Sequence, residues 1–341
     1  MTAKGTLAVF GGVAFLIGAA LAGLLVGPAD ITVGEIVRSA ASQLPLLHVH
    51  SHLSPTDSAI VWQLRAPRVV LGLLVGGMLA IAGGSYQGVF RNPLVDPYLL
   101  GVAAGAGLGA TIAIAYGGSA VGSYDLLPVA AFAGAALGVA LAYVLGSAGA
   151  GGRSPAALVL AGVTIVSFLT AIQTFVQQQH ANSLEQIFDW ILGRLSTAGW
   201  HDVALVAPYV LVSSSVLLLH RRLLDVLAVG DDEASTLGID VKRVRLLVVV
   251  FATIGTSAAV AVSGLIGFVG IIVPHFVRLA IGSSYRIVLP LSLLVGAGFL
   301  VLCDVLARTI LSPQEIPIGV ITAFFGAPFF AVVLRTSRSF T

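Results

Sequence analysis

Long apolar segments separated by short polar connections run along the whole chain. A transmembrane helix needs about 20 apolar residues to cross the hydrocarbon core of a bilayer, and most of these segments approach that length. The pattern predicts an all-α integral membrane protein with about ten transmembrane helices, organised as one membrane domain over residues 1–341. The predicted spans are residues 7–27, 66–89, 98–116, 126–146, 156–179, 202–220, 246–264, 270–281, 287–311 and 317–335.

The eighth predicted span, residues 270–281, is too short for a full crossing. It follows a glycine-containing break that runs from Gly264 to Gly270. Non-helical backbone at membrane depth is tolerated only where it is buried in protein or lines an aqueous cavity. We therefore expect an interrupted helix inside the bundle at this point.

Composition agrees with a membrane protein. Of 341 residues, 57% are hydrophobic and 9% are charged, whereas a soluble domain carries about 25% charged residues. There are 40 glycines, and lipid-embedded helices associate through small residues that let their backbones approach closely. Gly101, Gly105 and Gly109 repeat along one helical face, as do Gly72 and Gly76, which predicts close helix packing at these positions.

The distribution of lysine and arginine predicts that both termini face the cytoplasm, because basic residues concentrate on that side of a membrane. We expect the first apolar segment to be retained as a span, since it is longer than the apolar region of about 7–15 residues in a secretory signal. In this orientation twelve of the 17 basic residues are cytoplasmic, and Arg38, Arg65, Arg68, Arg194 and Arg308 are outside. The cytoplasmic residues are Lys4, Arg91, Arg153, Arg221, Arg222, Lys242, Arg243, Arg245, Arg278, Arg286, Arg335 and Arg338.

The sequence lacks the motifs of several enzyme and binding classes. It has no GxxxxGK[ST] phosphate-binding loop, so we expect no ATP hydrolysis by this chain. HExxH and GxSxG motifs are also missing, and a net charge of +2 without a basic run argues against nucleic-acid binding. The alternating histidines His48, His50 and His52 form a tract of the kind that can hold a metal. A solvated loop without a ligand is the simpler interpretation.

Five blocks of sequence, in a fixed order, resemble one transporter family. The second predicted span opens with WQLRAPR (62–68), and the second block is QGVFRNPLVDP (87–97), which continues in LLGV (99–102). Further along stand LAVGDDEASTLG (227–238), GFVGIIVPHFVR (267–278) and EIPIGVITAFFGAPF (315–329). Together they resemble, over residues 60–335, the FecCD-type permeases of type II ABC importers for iron chelates, haem and cobalamin.

The resemblance implies a permease subunit with the type II importer fold in the cytoplasmic (inner) membrane of a prokaryote. It implies a homodimer in membrane lipid, with a pair of closely related permeases as the alternative. It also implies two cytoplasmic ATPase subunits that bind ATP and magnesium, and an extracytoplasmic substrate-binding protein. The chain itself is expected to bind no cofactor and to catalyse no reaction. The expected cargo is an iron chelate (a ferric siderophore or haem), and cobalamin is the alternative.

Arginines near the outer membrane surface match family residues that receive acidic side chains of the binding protein. These are Arg65, Arg68 and Arg308, which we expect to be exposed cations at the outer mouth. Snorkelling to the membrane surface without a partner is the alternative. Asp304 has the helical ion-pair spacing of four residues to Arg308, and we expect it to position that arginine.

Two cytoplasmic segments also match functional regions of the family. Asn92, Pro93 and Leu94 follow the second span, where proline cannot continue a helix; the resemblance implies an inner gate, and a plain turn is the alternative. The polar segment after the sixth span matches the coupling helix that sits in a cleft of the ATPase, with a solvated loop as the alternative. Its residues are Gly230, Asp231, Asp232, Glu233, Ala234, Leu237 and Gly238.

The fifth predicted span carries Gln173, Gln177 and Gln178. Amide side chains are costly in lipid unless they are hydrated or paired, so we expect these residues to line the translocation pathway. Two other classes of function remain open to a polytopic chain. A secondary transporter needs membrane-buried carboxylates, for which Asp304 alone is thin support, and an intramembrane enzyme needs the nucleophile or metal motifs that are missing.

Overall fold

The computed structural model describes residues 3–27, 31–42, 53–117, 126–148 and 155–336. These residues form helices and loops, and ten long helices stand at the ten places that the apolar pattern predicted. They are α1 (Ala3–Leu25), α2 (Ala66–Phe90), α3 (Val102–Tyr116), α4 (Leu126–Ser147), α5 (Pro155–Gln179), α6 (Trp200–Leu227), α7 (Val241–Ser263), α8 (Val269–Ile281), α9 (Tyr285–Thr309) and α10 (Ile318–Thr336). Seven are long and apolar enough to cross a membrane, and α3, α8 and α10 are shorter apolar helices. The all-α membrane fold is confirmed.

Helix α2 lies at the centre of the bundle and packs against α6, α7, α8 and α9. It is continuous with two short preceding helices, Pro55–Ala59 and Ile60–Arg65, which the sequence pattern missed. Pro67 has no N–H, and its ring would clash with a carbonyl of the preceding turn. The chain therefore forms a π-helix there, with the N–H of Ala66 donating to the carbonyl of Val61.

The predicted glycine stripes are sites of close helix packing. On α3, a Cβ at Gly105 would clash with the backbone of Gly134 in α4, and the neighbouring stripe glycines also face α4 backbone. On α2, Gly76 faces the carbonyl of Gly296 in α9. These contacts bring helix backbones together without side chains between them, as expected for helices in lipid.

The break between α7 and α8 lies inside the protein, as predicted. Gly264 ends α7 with a positive φ of 70°, and helix resumes at Val269. Ile266 is buried at the break, and both of its backbone polar groups bond the Tyr98 hydroxyl, the carbonyl accepting at 3.0 Å and the N–H donating at 3.0 Å. Both backbone polar groups of Ile266, which lie outside the helices, are thus hydrogen-bonded by a side chain from the turn before α3.

The remaining short helices cap the two ends of the bundle. They are Val33–Ser42, the 3₁₀ turns Pro97–Leu100 and Ala181–Ser183, Leu184–Ile191 and Asp231–Thr236. We call the end that carries Arg65 and Arg68 the arginine end, and the opposite end, where α2 finishes at Phe90, the loop end. The last turn of α1 contacts Arg65, and α10 begins beside Glu315, which binds Arg68. The start of α1 and the end of α10 therefore both lie at the loop end.

Candidate functional site

An open cavity of about 560 Å³ at the arginine end is lined by all three arginines that the sequence singled out. Arg65 ends the π-helix that precedes α2, Arg68 lies in the first turn of α2, and Arg308 comes from the last turn of α9. Ser196, Ser312 and Glu315 also belong to the polar part of its wall. The structure thus brings together residues that are about 240 positions apart in the chain.

Arg68 is held by two carboxylates. Its Nε donates to both oxygens of Asp304 at 3.0 Å, and its Nη2 donates to Asp304 Oδ1 at 2.8 Å. On the other side, Nη1 and Nη2 donate to the two oxygens of Glu315 at 2.8 and 3.0 Å. Such bidentate, charge-assisted pairs are the strong class of hydrogen bond and fix the plane of the guanidinium.

Arg65 and Arg308 are bound to the end of α1. Arg65 Nη1 donates to the carbonyls of Leu24 at 2.9 Å and Leu25 at 3.1 Å, and Arg308 Nη2 donates to that of Gly23. The last carbonyls of a helix lack intrahelical partners and carry partial negative charge, so arginine stabilises them.

The expectation that these arginines are exposed cations is wrong. Arg65 is only 5% exposed, and the side chains of Arg68 and Arg308 are 12% and 8% exposed. They are buried because a helix terminus and two carboxylates from other parts of the chain surround them.

Asp304 has a different principal partner from the one that the sequence suggested. The helical spacing pointed to Arg308, but the nearest approach to that residue is 3.6 Å between Asp304 Oδ2 and Arg308 Nε. Arg68 forms three shorter bonds to the same carboxylate. Asp304 is therefore mainly an inter-helix partner that joins α9 to α2.

The loop after α2 has a defined turn geometry. Arg91 ends the helix in the left-handed region with φ of 50°. The side-chain oxygen of Asn92 then accepts from the N–H of Leu94 at 2.9 Å, which forms an Asx turn. Asn92 and Pro93 are exposed and line an open cavity of about 510 Å³ with Gln87 and Tyr285.

Asp96 closes this loop at its other end. Its Oδ1 accepts from the N–H of Tyr98 at 2.7 Å and so caps the 3₁₀ turn before α3. The carboxyl group is otherwise surrounded by protein, and burial raises its pKa to about 6, although the hydrogen bond from Tyr98 opposes the shift.

The segment expected to couple to an ATPase forms a short helix, Asp231–Thr236, at the loop end. Only Ala234 of this helix is buried, and Leu237 just after it is 71% exposed. Gly238 ends the segment with a positive φ of 78°; its N–H donates to Ser235 and that of Ile239 donates to Ala234. This is the Schellman pattern that glycine favours at a helix end.

Asp231 ties this helix to two other elements. Its carboxylate accepts from Arg245 Nη2 of α7 at 3.0 Å. It also lies 3.4 Å from Arg91 Nη2, next to the loop that contains Asn92. The predicted coupling segment and the predicted gate are therefore neighbours.

One exposed face of helix α5 carries hydroxyl side chains among large apolar ones. Thr164, Ser167 and Thr174 are exposed, and each hydroxyl donates to the carbonyl four residues earlier, at 2.9–3.0 Å. The exposed apolar side chains on this face include Leu160, Phe168 and Phe175. Gln178 lies on the same face, Gln177 is half-buried, and Gln173 is buried against Gly107 of α3 and points away from it. The sequence reasoning missed the hydroxyl residues.

The histidine tract, His48, His50 and His52, lies outside the described residues. Within the described ranges, no group of three or more His, Cys, Asp or Glu side chains is arranged to hold a metal ion. Sequence reasoning also assigned no role to Glu315 or Tyr98. Glu315 opens the last of the blocks that carry the family resemblance, and Tyr98 lies between QGVFRNPLVDP and LLGV. A charged or hydroxyl side chain beside apolar residues was the signal available for both.

Comparisons with known proteins agree with this architecture. The chain is 42% identical to the uncharacterised ABC transporter permease protein YvrB of Bacillus subtilis, over 82% of this chain and 80% of that protein. It is 37% identical to the cobalamin import system permease protein BtuC of Halobacterium salinarum, over 94% and 93%. It is 36% identical to the Fe(3+)-citrate import system permease protein YfmD of Bacillus subtilis, over 83% of each chain.

A solved structure shares the whole fold. It is a metal-chelate type ABC transporter in an inward-facing conformation, 30% identical, with a TM-score of 0.82 over 96% of this chain and 99% of that one. The residue pattern of the FecCD transport family matches residues 14–336. This chain therefore belongs to the FecCD transport family, as a multi-pass ABC transporter permease of the inner membrane of a prokaryote.

Proposed function

We propose that the chain is the membrane-spanning subunit of an ATP-driven importer that moves an iron chelate, a ferric siderophore or haem, into the cytoplasm. The observation that carries this proposal is the family match over residues 14–336. Cobalamin is the second candidate, because a relative named for cobalamin import aligns with 94% of the chain. The relative named for Fe(3+)-citrate import supports the iron chelate.

The proposed assembly contains two copies of this chain in membrane lipid, two cytoplasmic ATPase subunits and one extracytoplasmic substrate-binding protein. ATP and magnesium bind to the ATPase subunits, and this chain hydrolyses nothing. The exposed hydroxyl and amide groups on α5 support the dimer, because such groups are better placed along a hydrated pathway between two subunits than against lipid tails. Closed two-fold symmetry is the commonest arrangement of soluble oligomers, and we extend it to this pair.

In the proposed orientation the arginine end faces outward and receives the binding protein through the cavity around Arg65, Arg68 and Arg308. Both termini are then cytoplasmic. The loop of Asn92, Pro93 and Leu94 is the inner gate, and the segment from Gly230 to Gly238 contacts the ATPase. The exposed Leu237 supports the contact with the ATPase, because an exposed leucine beside a short helix would be covered when that helix lies in a groove of a partner.

Asp304 gives little support to the rival class, a secondary transporter. Its carboxylate is engaged by Arg68 and lies near Arg308, so it is poorly suited to taking up and releasing a coupling ion. An ATP-driven importer needs no such group in the permease.

The test is uptake by the permease, its ATPase subunits and its binding protein reconstituted in lipid vesicles. We expect accumulation of radiolabelled ferric siderophore or haem only with ATP and the binding protein, and labelled cobalamin serves as the competing cargo. Uptake driven by an ion gradient without ATP would contradict the proposed class. Uptake of cobalamin alone would transfer the proposal to the second candidate.

A further inference from the structure

The guanidinium of Arg68 is paired with two carboxylates of its own chain. Nε, Nη1 and Nη2 each donate to carboxylate oxygens of Asp304 or Glu315 at 2.8–3.0 Å, and these bonds use four of the five N–H groups. An acidic side chain that arrives from outside can form a bidentate pair with Arg68 only by replacing one of these two carboxylates.

The two carboxylates differ in accessibility. The side chain of Asp304 is 3% exposed and lies within α9, whereas that of Glu315 is 39% exposed and lies in the segment between α9 and α10. The next residue, Ile316, is fixed through a backbone bond to Ala307. Glu315 is therefore the exchangeable partner, and Asp304 is the fixed one.

The other two arginines of the cavity are less suited to exchange. Arg65 and Arg308 donate to the last carbonyls of α1, and a helix end that is buried without such donors would be left with unsatisfied groups. Arg68 differs from them because one of its partners, Glu315, is a partly exposed carboxylate in the cavity wall.

We propose that Glu315 occupies Arg68 in the resting permease, and that an acidic side chain of the substrate-binding protein displaces it on docking. This inference rests on the proposed function. Docking then exchanges one ion pair for another at Arg68. The displaced Glu315 no longer ties the segment before α10 to α2, so docking loosens this segment.

Removing the negative charge of Glu315, which competes with the binding protein for Arg68, should strengthen docking. Glu315→Gln cannot form the ion pair, so the binding protein should associate about two- to fivefold more tightly at low salt, the range for a partly exposed pair. The difference from wild type should disappear at high salt, because salt screens exposed charge pairs. Glu185→Gln is the matched control, since it removes the same charge from an exposed residue of the helix Leu184–Ile191, which lies at the arginine end but does not line this cavity.

A second measurement reports on the segment itself. Gln314→Cys places a fluorescent label on an exposed residue beside Glu315, and the native Cys303 is buried and should stay unlabelled. The label should become more mobile when purified cognate binding protein is added to the permease in lipid nanodiscs. Glu315→Gln should give the mobile signal without the binding protein, and Glu185→Gln should not.

The outcomes separate the exchange from docking. Protection of a Ser196→Cys thiol by the binding protein tests whether docking covers this cavity at all. If there is no protection, docking at this mouth is wrong, and the exchange fails with it. If there is protection, but Glu315→Gln binds equally or more weakly and leaves the label unchanged, docking stands and the exchange is overturned.

Discussion

At the scale of single residues, the stability of the arginine end depends on how well its buried charged side chains are paired. Removing a charged group from water is expensive, and the mutual attraction of buried partners offsets that cost only when geometry and hydrogen bonding are good. Arg68 and Asp304 meet this condition, with three bonds of 2.8–3.0 Å. The consequence is that loss of either partner should be costly, although the pair itself contributes little net stability.

Asp304→Ala tests this dependence. We expect a loss of about 3–5 kcal/mol of stability, because Arg68 and Arg308 remain buried beside an uncharged gap. Asp304→Asn should lose less, since the amide oxygen can still accept from Arg68. The measurement is thermal unfolding in detergent micelles, with Glu185→Ala as an exposed control that should stay within about 0.5 kcal/mol. An equal midpoint for Asp304→Ala and the control would show that the pair is dispensable.

Asp96 should make stability depend on pH. Its pKa of about 6 in the folded protein lies above the ordinary value of about 3.9. The folded state therefore carries a penalty above pH 6, up to about 3 kcal/mol, which is lost as pH falls through 6 towards 4. Asp96→Asn keeps an oxygen to cap Tyr98 and removes the charge.

We accordingly expect Asp96→Asn to be more stable than wild type at pH 7.5, with the difference shrinking towards pH 5. Unfolding midpoints measured across this range for the two proteins give the comparison. A difference that does not change with pH would contradict the burial of the charged carboxylate.

The sequence identified which arginines share the cavity at the arginine end, but it did not predict that they are buried. The residue types and their positions near span ends followed from the apolar pattern and the family blocks. Their burial did not, because it depends on partners far along the chain: the carbonyl of Leu24, 41 residues from Arg65, and Glu315, 247 residues from Arg68. Hydropathy relates a residue to the membrane surface and contains no information about such neighbours.

At the scale of helices, close packing between small residues sets the tolerance to substitution. Gly105 of α3 faces the backbone of α4, so any side chain there must push the two helices apart. Gly18 of α1 is a helical glycine with open space around the position of a Cβ. The two positions are thus chemically matched and differ in packing.

We expect Gly105→Val to destabilise the protein by about 1–3 kcal/mol, the usual cost of overpacking, or to prevent its accumulation in the membrane. Gly18→Val should change stability by less than about 0.5 kcal/mol. Thermal unfolding in detergent and the amount of membrane-inserted protein both measure the effect. Similar behaviour of the two variants would mean that α3 and α4 are not in backbone contact.

The exposed residue after the short helix Asp231–Thr236 gives a prediction for coupling. Leu237→Asp should leave unfolding unchanged, because the side chain is 71% exposed. It should lower ATP-driven uptake at least tenfold in reconstituted vesicles, since a charge enters the proposed contact with the ATPase. Arg243→Ala, another exposed position at the loop end, is the control. Unchanged uptake would remove this segment from the coupling contact.

The positions of the long helices could be predicted from the sequence, but the short helices that extend α2 at its start could not. The ten apolar runs located the ten long helices because the length and apolar composition of a run indicate a membrane helix. The helix before α2, from Pro55 to Arg65, was missed because Gln63, Arg65 and Pro67 look like the end of a span. A π-helix accommodates the proline, and nothing local in the sequence indicates that solution.

At the scale of the whole molecule, the two ends of the bundle should react from opposite sides of the membrane. Cysteines at Ser196 and Gln314 mark the arginine end, and one at Asp232 marks the loop end. A membrane-impermeant maleimide added to intact cells should label the first two and reach the third only after permeabilisation. Cys303, 1% exposed, should give no background. The reverse pattern would invert the proposed orientation, including that of both termini.

The arginines at the end of α1 also bear on the order in which the molecule matures during synthesis. Helix α1 leaves the ribosome long before α9, yet the donor to the carbonyl of Gly23 is Arg308, 285 residues later. The donor to the carbonyl of Leu24 is Arg65, only 41 residues later. Helix α1 therefore gains the last of these bonds only after α9 has been synthesised and inserted.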